Sequence, residues 1–195
     1  MNRLEKQIQF ILEVDKLKGV IRRSFLVGAD RLENSAEHSW HVALLAMTLL
    51  EHSDLEVDLL RVMKILILHD IVEIDAGDTY FFDTEGNANK AERESRAADR
   101  LFGLLPADQE KEFRDIWEEY EACETNEAKF AYALDRFMPA LHSYHTEGRS
   151  WKQHGITLDR VLTLNDPIKE GSKELARYAE KLFHDAVDKG YLKAK

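Results

Sequence analysis

Two histidines and two aspartates of this chain stand in stretches that otherwise consist of apolar residues. His38 lies on the apolar face of an amphipathic segment, and His69 and Asp70 follow directly after an apolar run. Asp135 lies within a further apolar segment. A buried carboxylate is costly unless it is paired or coordinates a metal, and imidazole with carboxylate is a common ligand set for divalent ions. The four residues therefore predict one divalent metal site, which could support hydrolytic chemistry.

Each of these residues also has an ordinary interpretation. A histidine on an apolar face is often a core residue with one hydrogen bond, and Asp135 could form a buried ion pair with Arg136. The metal site is favoured because three separate helices each offer a ligand from a stretch built for the core. The ligand types do not distinguish among Co, Mn, Zn, Ni, Mg and Fe.

Apolar residues recur at helical spacing along most of the chain. No segment shows a clear period-two alternation bounded by turn residues, so the pattern predicts an all-α fold. The predicted helices include residues 8–17, 44–50, 59–66, 91–105, 113–120, 130–145 and 173–187. Two stretches, 20–34 and 77–89, are expected to be irregular, and long loops of this kind often carry binding residues.

Two local patterns position the predicted ligands on these helices. Asn34 followed by Glu37 is typical of a capping box, which places His38 in the first turn of a helix. If the helix that contains His69 continues, Glu73 lies one turn further along and faces the same side. Glu73 could then contact a water molecule at the metal without being a ligand.

Length, charge and cysteine content restrict the class of protein. The chain has 195 residues, which fits a single domain over 1–195 with its core at about 10–185. A formal net charge of −10 argues against binding a nucleic acid polymer. The apolar runs are too short to cross a membrane, and the single cysteine, Cys123, excludes an internal disulfide. We therefore expect a cytoplasmic protein, and its amphipathic helices favour a homodimer.

The pattern of His38, then His69-Asp70, then Asp135 resembles the H…HD…D signature of the HD-domain metal-dependent phosphohydrolases. The surrounding residues are similar to the branch that contains the bacterial 5'-deoxynucleotidases and related HD-domain-containing proteins. The similar stretches are residues 33–39, 69–73, 76–78, 117–121 and 134–137. The resemblance implies a single HD domain, a helical bundle around one metal. It also implies hydrolysis of (deoxy)nucleoside 5'-monophosphates.

The same resemblance suggests roles for residues in the two irregular stretches. It places the arginine that holds the substrate phosphate at Arg23, although two solvated loop arginines are the ordinary interpretation. The tryptophan that follows this arginine in better-known deoxynucleotidases is replaced by Ser24. Asp78 matches an aspartate near the substrate. Glu73 is the candidate to orient or deprotonate the attacking water, and Asp78 is the alternative.

The sequence also bears on the number of metals and on other functions. No histidine lies between Asp70 and Asp135, whereas two-metal and oxygen-using HD relatives carry additional histidines there, so one metal is expected. Hydrolysis of another small phosphate ester or of a nucleotide pyrophosphate remains an alternative. A non-catalytic, metal-stabilised nucleotide-binding domain is a further one. The presence of Arg23, Glu73 and Asp78 beside the ligands argues against that domain.

Overall fold

Helices form most of the protein, as the sequence predicts. The computed structural model describes residues 1–79 and 88–195. The helices are α1 Arg3–Val14, α2 Ser35–Leu49, α3 Leu59–Leu68, α4 Glu73–Ala76, α5 Lys90–Phe102, α6 Ala107–Ala122, α7 Asn126–His145, α8 Arg149–Gln153, α9 Leu158–Asn165, α10 Ile168–Gly171 and α11 Lys173–Asp188. Short 3₁₀ helices cover Asp15–Gly19 and Leu50–His52. All the predicted helices have a counterpart, so the all-α class is confirmed.

A small hairpin occupies the stretch 20–34, and the prediction of an irregular loop there was wrong. Strands β1 Ile21–Phe25 and β2 Leu32–Asn34 pair antiparallel. Strands of this length are too short to show a clear alternation, and two arginines interrupt the apolar pattern of the first. Of the second predicted loop, 77–89, residues 80–87 lie outside the described residues.

Helix α7 forms the centre of the bundle. It packs against α2, α3, α6, α10 and α11. Phe130 and Leu134 on α7 and Ile65 and Leu66 on α3 are completely buried. Full burial of each such side chain stabilises the fold by about 1.5–3 kcal/mol. This packing fixes the helix that carries Asp135 against the helix that ends at the His-Asp pair.

The short helix α10 approaches α7 more closely than a side chain would allow. A Cβ built on Gly171 would lie 2.7 Å from the Cβ of Ala133 and 2.8 Å from the carbonyl oxygen of Lys129. Both distances are shorter than van der Waals contact, so the residue at this crossing must be glycine. The crossing lies on the segment of α7 just before Asp135.

The start of α2 has the capping box that the sequence predicts. The Asn34 side chain accepts a hydrogen bond from the Glu37 amide at 2.9 Å, and the Glu37 carboxylate accepts one from the Asn34 amide at 3.1 Å. The Ser35 amide also donates to the carbonyl of Val20 at 3.0 Å, which joins the helix to the hairpin. His38 is therefore fixed in the first turn of α2, where it is fully buried.

Helix α3 ends immediately before the His-Asp pair. His69 caps the helix at its C-terminus, and α4 begins only at Glu73. The helix therefore does not continue from His69 to Glu73, so the condition for placing Glu73 one helical turn beyond His69 is not met. Tight turns replace it, in which the amide of Ile71 donates to Leu68 and that of Glu73 donates to Asp70. Because apolar residues flank the pair on both sides, the sequence pattern does not show that the helix ends there.

Within the described residues, no helix combines the length and the apolar character that crossing a membrane requires.

Candidate metal centre and active site

The predicted metal ligands lie together beside one cavity. Its volume is about 340 Å³, and His69, Asp70 and Asp135 are on its wall. His38 lies behind them and is fully buried. Other residues on the wall are Arg22, Arg23, Ser24, Glu73, Asp78, Thr79, Lys90, Glu94, Tyr120 and Glu121. Residues from the hairpin, α5, α6, α7 and the α3–α4 turn thus share one cavity.

Asp135 joins α7 to α2 and α6. The Nε2 atom of His38 is 2.8 Å from Asp135 Oδ1, and the Tyr120 hydroxyl donates to Asp135 Oδ2 at 2.8 Å. Burial would raise the pKa of Asp135, but the hydrogen bond with His38 and the nearby imidazole of His69 hold it well below its usual range. Asp135 is therefore an ionised carboxylate that faces two imidazoles.

His69 presents one ring nitrogen to the cavity because the other is held by the backbone. Its Nδ1 donates to the carbonyl oxygen of Leu66 at 2.8 Å. Its Nε2 is 3.1 Å from Asp70 Oδ1 and 3.7 Å from Asp135 Oδ1. This buried Nε2 has no hydrogen-bond partner among the described residues. Burial lowers the pKa of His69, but the carboxylates of Asp70 and Asp135 outweigh it and raise the value to about 9.

These side chains fit a divalent cation. One ligand atom each from His38, His69 and Asp135 lie within 4.8 Å of one another. Asp70 adds an oxygen 4.0 Å from His38 Nε2. Two imidazole nitrogens and two carboxylates suit divalent transition ions, and the unpartnered Nε2 of His69 is the type of group that a metal would bind. The structure thus brings together all four residues that the sequence singled out.

Arg22 is a component of the site that the sequence analysis missed. Its guanidinium donates to Asp70 Oδ2 at 2.8 Å and lies 3.9 Å from Glu73 and 3.8 Å from Asp78. Burial would lower the pKa of Arg22, but these carboxylates raise it above its usual value. Strand alternation could have indicated its position, since neighbouring strand residues point to opposite faces.

Glu73 and Asp78 lie next to Asp70. The Ser35 hydroxyl donates to Glu73 Oε2 at 2.6 Å, which links α4 to the start of α2. Burial and the charge of Asp70 raise the pKa of Glu73 well above its usual value, and burial also raises the pKa of Asp78. A carboxyl group with a raised pKa can exchange a proton nearer to neutral pH.

Arg23 lies on the other face of β1 from Arg22. It is exposed, while the following Ser24 is half-buried, and both line the cavity. Arg23 is therefore an exposed residue of the cavity wall, whereas the guanidinium of Arg22 is enclosed by carboxylates.

Two charged residues on α5, the half-buried Lys90 and the buried Glu94, also line the cavity. Lys90 Nζ lies 3.5 Å from Glu94 Oε1. Burial raises the pKa of Glu94 to about 7, although Lys90 opposes the shift. Glu94 shares the buried face of α5 with Ala97, Ala98 and Leu101. An acidic residue on an apolar helix face is the signal that could have identified it.

A second group of ligand-type residues lies behind His38. Atoms of Glu33, His41 and His142 lie within 4.8 Å of one another. The ring centroid of His41 is 5.6 Å from those of both Trp40 and His142.

Comparison with known proteins agrees with this geometry. The family model described as HD domain matches residues 14–176. The chain belongs to the HD domain family. The 5'-deoxynucleotidase HDDC2 of Danio rerio is 30% identical over 145 residues, which cover 74% of this chain and 71% of that protein. The protein of the same name in Homo sapiens is 32% identical over 130 residues, covering 66% of this chain and 62% of the human one.

Solved structures extend the similarity over nearly the whole chain. The crystal structure of a predicted metal-dependent phosphohydrolase from Magnetospirillum magnetotacticum MS-1 has a TM-score of 0.93 at 51% identity, and covers 98% of this chain and 96% of that one. The PH0347 protein of Pyrococcus horikoshii OT3, at 24% identity, has a TM-score of 0.61 over 93% of this chain and 99% of that one, which shows a shared fold. The family resemblance seen in the sequence is confirmed.

Proposed function

We propose that this protein is a metal-dependent phosphohydrolase that acts on (deoxy)nucleoside 5'-monophosphates. The observation that carries this proposal is the convergence of His38, His69, Asp70 and Asp135 beside a cavity that Arg23 also lines. The relatives named 5'-deoxynucleotidase and the neighbour named metal-dependent phosphohydrolase support it. We propose one resident divalent ion, held by these four side chains.

The two arginines have different roles in this proposal. Arg23 binds the substrate phosphate, because it is an exposed residue of the cavity wall and a planar guanidinium suits bidentate contacts with phosphate oxygens. Arg22 holds the carboxylates of Asp70, Glu73 and Asp78 together, which are otherwise like charges in a buried space. Arg22 is thus a positioning residue.

Glu73 and Asp78 handle the proton of the attacking water. A bound divalent ion supplies Lewis acidity at the phosphate and lowers the pKa of a coordinated water. The raised pKa of each carboxyl group matches proton transfer near neutral pH. Asp78 also lies within reach of the substrate in this proposal, since it lines the same cavity as Arg23.

Phosphate release by the purified protein tests this function. The panel comprises ribo- and deoxynucleoside 5'-monophosphates, their 3' isomers, sugar phosphates and nucleoside diphosphates, each with Mn²⁺, Co²⁺, Zn²⁺, Ni²⁺ or Mg²⁺. We expect release from 5'-monophosphates and its loss on chelation. His69→Ala and Asp135→Ala should each lower kcat/KM by at least about 100-fold, because each removes a metal ligand.

A matched control separates the site from general effects of removing a histidine. His184 on α11 is exposed, so His184→Ala should keep wild-type turnover. Full activity after chelation would contradict a role for a metal. Release only from sugar phosphates or diphosphates would assign the same site to a different substrate, and tight nucleotide binding without release would make it a binding domain.

We also propose that the protein is a homodimer of single-domain chains that works in the cytoplasm. Three large apolar side chains lie along one face of α2 and are exposed: Trp40 at 62%, Leu44 at 43% and Met47 at 54%. Trp and Met are enriched at protein interfaces, and a second copy of the chain would cover this face. The free Cys123 supports a reducing compartment.

A further inference from the structure

The carboxylate of Glu33 is buried without a hydrogen bond. The residue is 0% exposed, and neither of its oxygens has a hydrogen-bond partner among the described residues. Glu33 lies on β2, immediately before the capping box that starts α2. A charge in such a place is costly unless nearby groups compensate it. The surroundings of Glu33 must therefore explain why a carboxylate is kept there.

Three nitrogen-bearing groups surround this carboxylate. Oε2 lies 3.5 Å from His38 Nδ1 and 3.7 Å from Arg22 Nε, while Oε1 lies 3.8 Å from His142 Nδ1. Glu33 therefore faces the back of the His38 ring, whose other nitrogen is directed at Asp135. The Nδ1 atom of His38 is itself buried and without a hydrogen bond in the part of the chain that the structure describes.

A neutral imidazole binds a metal through one nitrogen while the other carries the proton. A hydrogen-bond acceptor at the second nitrogen fixes which tautomer is present and how the ring is oriented. For His69 this acceptor is the carbonyl of Leu66. For His38, the acceptor that faces Nδ1 is Glu33.

We propose that Glu33 is a positioning residue of the metal centre. When a cation is bound, the carboxylate, 3.5 Å from Nδ1 in this structure, would accept the Nδ1 proton of His38 and so direct the Nε2 lone pair of His38 toward the cation. The inference rests on the proposed metal site at His38.

A second cation held by Glu33, His41 and His142 is the competing explanation of the same cluster. The guanidinium of Arg22, 3.7 Å from the Glu33 carboxylate, already supplies a positive charge there. This charge compensates the carboxylate without a second cation, and a divalent ion there would be repelled by an ion in the neighbouring site. These charges favour the positioning role.

Cobalt binding tests the proposal without substrate. The Kd for Co²⁺ is measured by visible absorption in competition with a chelating dye. Glu33→Met removes the acceptor and should weaken binding about 10–100-fold, whereas Glu33→Gln keeps an acceptor oxygen and should lose less than about tenfold. If Glu33→Met does not fold, Glu33→Asp is used in its place. The aspartate side chain is one methylene group shorter, so its carboxylate lies further from His38, and the same loss of Co²⁺ affinity is expected.

Ser172→Ala is the matched structural control. It removes the N-cap of α11 and the hydrogen bond that Ser172 Oγ donates to the carbonyl of His52, but leaves Glu33, His38 and the start of α2 unchanged. It should therefore lower the Tm of the metal-free protein while Co²⁺ affinity stays within about threefold of wild type. An equal loss of affinity in Ser172→Ala and Glu33→Met would show a merely structural role and overturn the proposal.

Proton NMR of the Co²⁺-loaded protein gives a signature that is independent of affinity. The wild type should show two shifted, exchangeable N–H signals, one from each histidine. The His38 signal should persist in Glu33→Gln and disappear through solvent exchange in Glu33→Met or Glu33→Asp. If Glu33→Met kept both signals and bound Co²⁺ as tightly as the wild type, the proposal would be overturned. It would also be overturned if the wild type bound two ions and Glu33→Met lost only the second.

These measurements also separate this inference from the proposed function. A wild-type protein that binds no divalent cation would contradict the metal site itself, and with it this inference. A wild type that binds Co²⁺ but hydrolyses no phosphate ester would contradict the function and leave the role of Glu33 intact.

Discussion

At the scale of single residues, Arg22 and Arg23 are neighbours on strand β1 but have different environments and different proposed roles. Arg22 is enclosed by carboxylates, whereas Arg23 is exposed and lines the cavity. Neighbouring strand residues face opposite sides, so two identical side chains enter different environments.

Methionine substitutions should separate these two roles. Arg22→Met leaves Asp70 facing Glu73 without a counter-charge, so the free energy of unfolding should fall by about 3–5 kcal/mol. Arg23→Met should leave stability unchanged but raise KM for the nucleotide about 10–100-fold, through the loss of charged hydrogen bonds. Thermal unfolding and steady-state kinetics measure the two effects. An unchanged Tm with a raised KM in Arg22→Met would move the phosphate contact to Arg22.

Glu94 should make stability depend on pH. In the unfolded chain it loses its proton near pH 4.5, but in the folded protein it keeps the proton until about pH 7 because it is buried. Its contribution to the free energy of unfolding therefore decreases as the pH rises from 4.5 to about 7. Glu94→Gln remains neutral, so its Tm should match wild type near pH 4.5 and exceed it at pH 8 by roughly 5 °C.

Calorimetry at several pH values measures this difference. Glu92 lies on the same helix but is exposed, so Glu92→Gln should show no such trend. A constant difference between Glu94→Gln and wild type would contradict the shifted pKa.

At the scale of elements, helix α10 packs so closely on α7 that position 171 has no space for a side chain. Gly171→Ala places a methyl group 2.7 Å from Ala133 Cβ and should lower the free energy of unfolding by about 1–3 kcal/mol. Gly19 provides the control, because nothing lies within 4 Å of a Cβ built on it and its φ is unremarkable. Chemical denaturation measures both variants, and equal stability of the two would contradict the tight crossing.

The elements that could be predicted from the sequence are those determined by local patterns. The capping box at Asn34 placed His38 correctly, because such a cap involves residues only three apart. The hairpin and the short helices α8 to α10 were missed because elements of this length contain too few turns or alternations to give a pattern.

The parts of the site that were missed depend on distant contacts. Arg22 binds the carboxylate of Asp70, which is 48 residues away in the chain. The residues next to the arginine in the sequence therefore could not reveal this contact. Glu33 next to His38 became noticeable only when its unpartnered oxygens were located. The four proposed metal ligands could be singled out because a polar residue in an apolar stretch is visible locally, and the family resemblance linked them.

At the scale of the whole molecule, a bound ion should stabilise the fold. A ligand that binds only the folded state adds about 2.7 kcal/mol when it is present at 100 times its Kd. For a chain of this size we expect the Tm to rise by roughly 5–11 °C with saturating Mn²⁺ or Co²⁺. Differential scanning calorimetry with and without chelator measures it. Asp135→Ala should show no such rise, and an equal rise in that variant would place the ion elsewhere.

The exposed face of α2 should determine the assembly state. Trp40→Asp introduces a charge into the apolar face that we propose a second copy covers, so a homodimer should become a monomer. Light scattering after size-exclusion chromatography measures the mass. Tyr178 on α11 is 50% exposed, and Tyr178→Asp is the control that should leave the mass unchanged. A wild-type monomer would contradict the proposed dimer.

The contact between His38 and Asp135 joins positions that are 97 residues apart in the chain. A cation that they share with His69 would act as a reversible cross-link between three distant segments, and closing so long a loop removes much freedom from the unfolded chain. Local opening that exposes the backbone to proteases becomes rarer when such a link is present. The supply of the metal would then govern how long each molecule survives in the cell as well as how fast it works.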